Sequence, residues 1–150
     1  MILDNLKKFT FYSIQVRAFT TEGYGPENSL KARTGQDVPS KPPQSITTES
    51  HVTLTTIPVA WKPIVPDHIN GILLGYKIRY QAVEIGEESV EDKPIREQIV
   101  NSSTLSLVLT NLEIFILYRI DVVGFTIMGD GPPATDYAGL SRSRRNGDNM

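Results

Sequence analysis

Few residues in this 150-residue chain have reactive chemistry to offer. Cysteine is absent, which excludes a disulfide framework, Cys-ligated zinc and thiol catalysis. The two histidines, His51 and His68, fall in loop-like stretches without a partner constellation. No Gly-x-Ser-x-Gly, His-Glu-x-x-His or phosphate-cradling glycine loop is present, so no catalytic residue and no cofactor-binding residue is assigned. Asn101-Ser102-Ser103 is an Asn-x-Ser sequon, and Asn101 is a glycan acceptor if the chain is secreted. Arg142-Ser143-Arg144-Arg145 has the Arg-x-Arg-Arg pattern of a convertase cleavage site in a secreted chain, with a solvated basic tail as the plainer alternative. Glu84, Glu87, Glu88, Glu91 and Asp92 make an acidic connection over 83–93. It lacks the Asp-x-Asp-x-Asp-Gly spacing of a calcium loop, so it reads as a solvated loop, with a cation or basic-partner site as the minority reading, and no metal ligand is assigned.

Bulk properties exclude further classes. Net charge is −2, which gives no basic field for nucleic acid and no polybasic patch for a membrane surface. The longest apolar run, Ile114 to Tyr118, is far too short to span a bilayer.

The elements that position these residues are read from periodicity. Tyr118, Ile120, Val122 and Gly124 alternate with Leu117, Arg119, Asp121 and Val123, as in a strand. Leu112 lies in its approach, and Gly129-Asp130-Gly131-Pro132 reads as the turn that ends it. The stretch occurs twice. Leu3 to Pro26 aligns with Leu109 to Pro132 at an offset of 106 without a gap, with 12 of 24 residues identical. A repeat of about 100 residues is the length of a small domain rather than of a solenoid unit.

Leu-x5-Tyr-x-Ile-x-Val closed by Gly-x-Gly-Pro resembles the corner, penultimate strand and turn of a fibronectin type III domain. Val38-Pro39-Ser40-Lys41-Pro42-Pro43 resembles that family's domain start. Val59-Ala60-Trp61-Lys62-Pro63 resembles its tryptophan strand, and Gly75-Tyr76-Lys77-Ile78-Arg79-Tyr80 its third strand. The resemblance implies an all-β, seven-stranded antiparallel β-sandwich, immunoglobulin-like in topology, preceded by an orphan β-hairpin from a truncated copy. The expected divisions are 1–35, the last two strands of a truncated domain; 36–43, a linker; 44–140, a complete domain; and 141–150, a disordered tail. Trp61, Tyr76, Leu112, Tyr118 and Val122 should form the core, with the Tyr118 hydroxyl bonded back to the upstream backbone.

Details follow from the same reading. Ile72, Leu74, Tyr76, Ile78 and Tyr80 should share the inner face of one strand. Pro58 should force a bulge or an unpaired position, because proline donates nothing to a ladder. In some members of the family the last loop carries Arg-Gly-Asp; here Met128 stands before Gly129-Asp130, so a simple turn is expected. Lys77, Arg79, Arg119 and Asp121 point outward on adjacent strands and are the candidate protein contacts.

The resemblance implies a non-enzymatic protein-interaction and spacer module of a tandem array. Its setting would be the extracellular part of a secreted or single-pass membrane protein, such as an adhesion molecule or a receptor tyrosine phosphatase. The alternative is an intracellular structural array of the muscle giant-protein type. Expected partners are other proteins, including neighbouring fibronectin type III domains. No nucleic acid, cofactor or membrane contact is expected. The orphan hairpin is expected to be frayed or covered, and it leaves open a homodimer through its exposed edge.

Overall fold

The computed structural model describes residues 1–48, 55–86 and 88–139. His51, the 141–150 tail and the Arg142–Arg145 run lie outside the described residues.

Two ladders build the larger unit. One joins β3 (Gln44–Thr48), β4 (Ile57–Lys62) and β8 (Ser106–Leu109). The other runs β10 (Gly129–Gly139), β9 (Ile116–Thr126), β5 (Gly75–Ile85), with β7 (Arg96–Asn101) on the far edge of β5 and the two-residue β6 (Glu88–Ser89) at its end. Every pairing is antiparallel. The only helical piece among the described residues is a 3-10 turn at Pro66–His68. This is the expected sandwich, three strands packed on four with β6 as a small addition.

Alternation decides which side chains meet between the sheets. Val59 and Trp61 from β4 face Tyr76, Ile78 and Tyr80 from β5 and Tyr118, Ile120 and Val122 from β9, all buried in one cluster with Leu109 and Leu112. Trp61 meets Tyr76 edge-on at 5.5 Å, and Tyr80 meets Tyr118 at 6.5 Å, geometries that put a ring's positive edge toward a negative face. The Glu113 N–H donates to the Tyr118 hydroxyl at 3.1 Å, and the Leu112 N–H to the Thr55 carbonyl at 3.0 Å. The tyrosine corner is therefore formed, and it ties the entry of β9 to the opposite sheet.

Several local expectations are corrected. Ile72 and Leu74 are 57% and 49% exposed and precede β5, which starts at Gly75. Their backbone is spent elsewhere: the Leu74 N–H bonds the Phe125 carbonyl, and the Ile72 N–H bonds Gln36 Oε1. The acidic connection does not begin at Val83. β5 runs on to Ile85 because β9 is long enough to pair with it, and Glu84 and Ile85 turn back onto Ser89 and Glu88.

Pro58 causes no bulge. The β4–β8 ladder passes unshifted through Pro58↔Val108. The Trp61 N–H points to Leu105 on the β8 side, so by alternation the nitrogen of Pro58 points to the β3 side, past Thr48. The irregularity lies in β3 instead, between Gln44 and Thr47, where Ser45 takes φ 51°.

Gly129-Asp130-Gly131-Pro132 is not the turn. Ile127 and Met128 turn the chain, and all four residues belong to β10. Gly131 is needed for close approach: a Cβ there would come within 2.7 Å of Pro39 Cβ.

Residues 1–35 form a separate ladder of β1 (Phe11–Thr20) and β2 (Gly23–Arg33), turning at Thr21–Glu22. It reproduces β9–β10 pair for pair. Tyr12↔Ala32, Ile14↔Leu30 and Val16↔Asn28 become Tyr118↔Ala138, Ile120↔Asp136 and Val122↔Ala134 when 106 is added to each number. The bulge recurs too, between Arg17 and Phe19 in one and between the equivalent Val123 and Phe125 in the other. So does the corner, where the Lys7 N–H donates to the Tyr12 hydroxyl at 2.8 Å. Even the strained backbone matches: Asn5, Phe9 and Gly23 take φ 55°, 46° and 130°, against 57°, 59° and 132° at Asn111, Phe115 and Gly129. The hairpin is formed rather than frayed, and its side chains are uncovered: Val16 and Leu30 are 66% and 65% exposed.

Candidate interaction surface

The outer face of the β10-β9-β5-β7 sheet gathers the charged residues singled out from the sequence. Register sets them in rows across the strands. Glu97, Arg79, Asp121 and Thr135 form one row; Gln81, Arg119 and Tyr137 form the next, beside Ile95.

The four candidates do not behave alike. Lys77 Nζ lies 2.8 Å from Asp130 Oδ1, with its ammonium 4.8 Å from the centre of the Phe125 ring. Arg79 bonds the other Asp130 oxygen and also Glu97 Oε2, the latter at 2.7 Å. Two carboxylates therefore neutralise and orient Arg79, and both raise its pKa, Glu97 foremost. Burial works against the Asp130 carboxylate, but hydrogen bonds and charge from Lys77 and Arg79 outweigh it and hold its pKa below the ordinary 3.8. Lys77 and Arg79 are thus committed within the sheet.

Arg119 and Asp121 are more available. Arg119 Nε reaches Asp121 Oδ1 at 3.3 Å, and the same oxygen accepts from the Thr135 hydroxyl at 2.6 Å. A guanidinium has five N–H donors, and Arg119 is 45% exposed at its side chain, so most of them face solvent. Tyr137, 46% exposed, is its ladder partner on β10, and on its other side Ile95, 63% exposed, lines a shallow hollow with Arg79, Tyr80, Gln81, Arg119 and Asp121.

Asp130 and Glu97 were missed in the sequence. Asp130 is 51 residues from Arg79, and no local spacing signals the pair.

The linker forms a second cluster. The Asp37 N–H bonds the Asn70 carbonyl and the Ser40 N–H the His68 carbonyl, both at 2.8 Å. Asn70 Nδ2 donates to the Val38 carbonyl, and the buried Thr126 hydroxyl donates to the Asp37 carbonyl at 2.8 Å. His68 is not partnerless, since its Nδ1 lies 3.0 Å from the Ser40 hydroxyl. On the hairpin side, Lys8 Nζ is 3.0 Å from Asp37, and the Phe9 N–H bonds the Gly35 carbonyl. Hydrogen bonds from Lys8 and from the Val38 N–H lower the Asp37 pKa. Pro39 is fully buried. The segment is therefore stitched to the loop before β5 and to the end of β9.

Among the described residues no group of His, Asp and Glu is placed to hold a metal ion, and no helix is long and apolar enough to cross a membrane.

Comparison with known proteins agrees with this geometry. The fibronectin type III domain family model matches residues 41–138. The chain belongs to the fibronectin type III family. Relatives include protein sidekick-1 of chicken, 35% identical over 134 residues (89% of this chain, 6% of that protein). The cell adhesion molecule Dscam2 of Drosophila melanogaster is 33% identical over 135 residues, 87% of this chain and 6% of that protein. The mouse receptor-type tyrosine-protein phosphatase F is 35% identical over 130 residues, 86% of this chain and 7% of that protein. The chain thus spans only a small fraction of these relatives. Among solved structures, the FN1-FN3 domains of chicken CNTN1 superpose with a TM-score of 0.58 at 27% identity, covering 89% of this chain and 42% of that one. Domains d3-d4 of the rat CD45 extracellular region share the fold, with a TM-score of 0.66 at 20% identity over 91% of this chain and 67% of that one.

Proposed function

We propose that the chain is a non-catalytic protein-interaction and spacer segment of a tandem fibronectin type III array, in the extracellular part of an adhesion protein or receptor. The observation that carries this reading is the second copy. β1–β2 matches β9–β10 in register, bulge, tyrosine corner and positive-φ positions. On this reading residues 1–35 are the closing strands of a domain that precedes the one at 44–140. A relative named as a cell adhesion molecule and another named as a receptor-type phosphatase support the setting.

The linker supplies the spacer property. At least four hydrogen bonds hold Asp37 to Ser40 against the sandwich, so consecutive units keep one orientation and the array transmits position along its length. Protein contact is assigned to the row of Ile95, Gln81, Arg119 and Tyr137, with Asp121 orienting Arg119. Exposed Arg and Tyr beside an apolar residue have the composition of an interface centre. Lys77 and Arg79 act by holding Asp130 and Glu97 and so stiffening the face.

Residual dipolar couplings test the spacer reading. Amides of β1–β2 and of β4, β5 and β9 should fit one alignment tensor. Two unrelated tensors would mean a swivelling joint and would overturn it.

A further inference from the structure

We propose that Asn101 is an N-glycosylation site whose glycan covers the free edge of β7 and leaves the Arg119–Tyr137 row open. This rests on the extracellular reading above, but the acceptor chemistry can be tested apart from it. Asn101 ends β7 on the exposed side of the sheet, opposite Gly75. Its Oδ1 accepts three hydrogen bonds: from the Ser103 N–H at 3.1 Å, the Ser103 hydroxyl at 2.8 Å and the Thr104 hydroxyl at 2.9 Å. Asn101 is exposed, and among the described residues no acceptor engages Nδ2. The Ser103 hydroxyl sits on the amide oxygen of the sequon asparagine. There it polarises the amide, which makes the Nδ2–H easier to lose, and it leaves Nδ2 as the end of the side chain that is not engaged. The contact spans two residues and needs no tertiary structure, so a nascent chain can form it.

The donor is a lipid-pyrophosphate-linked oligosaccharide. Nδ2 bonds to the anomeric carbon and loses one proton. The carbon–oxygen bond to pyrophosphate breaks, and the lipid pyrophosphate leaves with the bonding pair.

The position explains what the glycan would do. Among the described residues β7 pairs with β5 alone, so its other edge presents unpaired backbone groups there, and Ile99 beside it is 60% exposed. Such an edge invites pairing with another strand unless something covers it. Gly75 cannot carry a side chain, because a Cβ would run into the Val100 carbonyl oxygen, so the ground next to Asn101 is clear. Along β5, Gly75 to Gln81 spans about 20 Å at strand rise, which keeps the glycan root away from the Arg119 row.

The test expresses the full chain behind a secretion signal in mammalian cells, with a second version carrying an added sequon at its C-terminus as a control. Mass spectrometry after amidase release of glycans should find Asn101 converted to Asp. Asn101→Gln and Ser103→Ala should abolish the modification, and Ser103→Thr should preserve or raise it with the turn intact. An occupied control sequon beside an unmodified Asn101 would overturn the proposal. Mapping the native protein separately reports the compartment. Absence of glycan there, with Asn101 occupied in the secreted chain, would sink the extracellular reading and leave the acceptor chemistry standing.

Discussion

The duplicated tyrosine corner allows one hydrogen bond to be measured in two environments. Tyr118 is 6% exposed, and its hydroxyl accepts from the partly buried Glu113 N–H. Tyr118→Phe keeps the ring against Tyr80 and removes only that oxygen. It leaves a partly buried N–H without its partner, which water replaces only in part, so the cost should be about 1 kcal/mol, the low end of the range for an unsatisfied group. For a domain of this size that lowers Tm by about 4–8 °C per kcal/mol. Tyr12→Phe removes the equivalent oxygen from the Lys7 N–H, but there the bond is exposed and water replaces it. Its effect on the sandwich should stay within about 0.5 kcal/mol. Trp61 is the single tryptophan and lies in the sandwich core, so urea unfolding followed by its fluorescence reads that unit alone. Equal losses for the two variants would refute the argument that burial, not the bond itself, sets the cost. A negligible loss for Tyr118→Phe would mean that the corner does not hold β9.

Other outcomes follow from the same contacts. Trp61→Ala should cost about 3–5 kcal/mol by opening a core cavity, seen as a lower urea midpoint by circular dichroism; a loss under 1 kcal/mol would put Trp61 outside the core. Asp130→Asn should cost about 0.5–1 kcal/mol near neutral pH, since the ion pairs are only partly buried. Because the folded pKa of Asp130 is depressed, its contribution is full above the unfolded value and fades as pH falls below about 4 and through the folded value. The gap between wild type and variant should therefore narrow as pH falls below about 4; a gap that does not narrow on acidification would argue against the ion pairs. Gly131→Ala forces a Cβ against Pro39 and should release the linker, raising amide exchange at Asp37 and Ser40 while β5 stays protected. Unchanged exchange at those two amides would show that the clamp does not depend on that contact.

The strands that proved legible were those with one buried and one exposed face. Tyr76, Ile78 and Tyr80, or Tyr118, Ile120 and Val122, give a period of two because the sandwich buries every second residue. Ile72 and Leu74 continued that period by chance, and nothing local told them apart from β5. They lie outside because Gln36 and Phe125 claim their backbone. Gly129 to Pro132 had the composition of a turn for a different reason: Gly131 is small to admit Pro39, a residue far away in the chain. On the outer face, Lys77 and Arg79 were readable as outward, but not as already engaged by Asp130.

The amino-acid sequence on its own determined the sandwich, its core and the repeated hairpin, because periodicity, a long internal repeat and the corner tyrosine are all written within short stretches of chain. Tertiary structure alone decided which charges are spent and which are free, and that the linker is clamped. Those depend on groups brought together from distant positions: Asp130 on Arg79, Thr126 on Asp37, and Glu97 across from β5. Side-chain electrostatics and backbone docking act through space, and no local pattern in the chain encodes them.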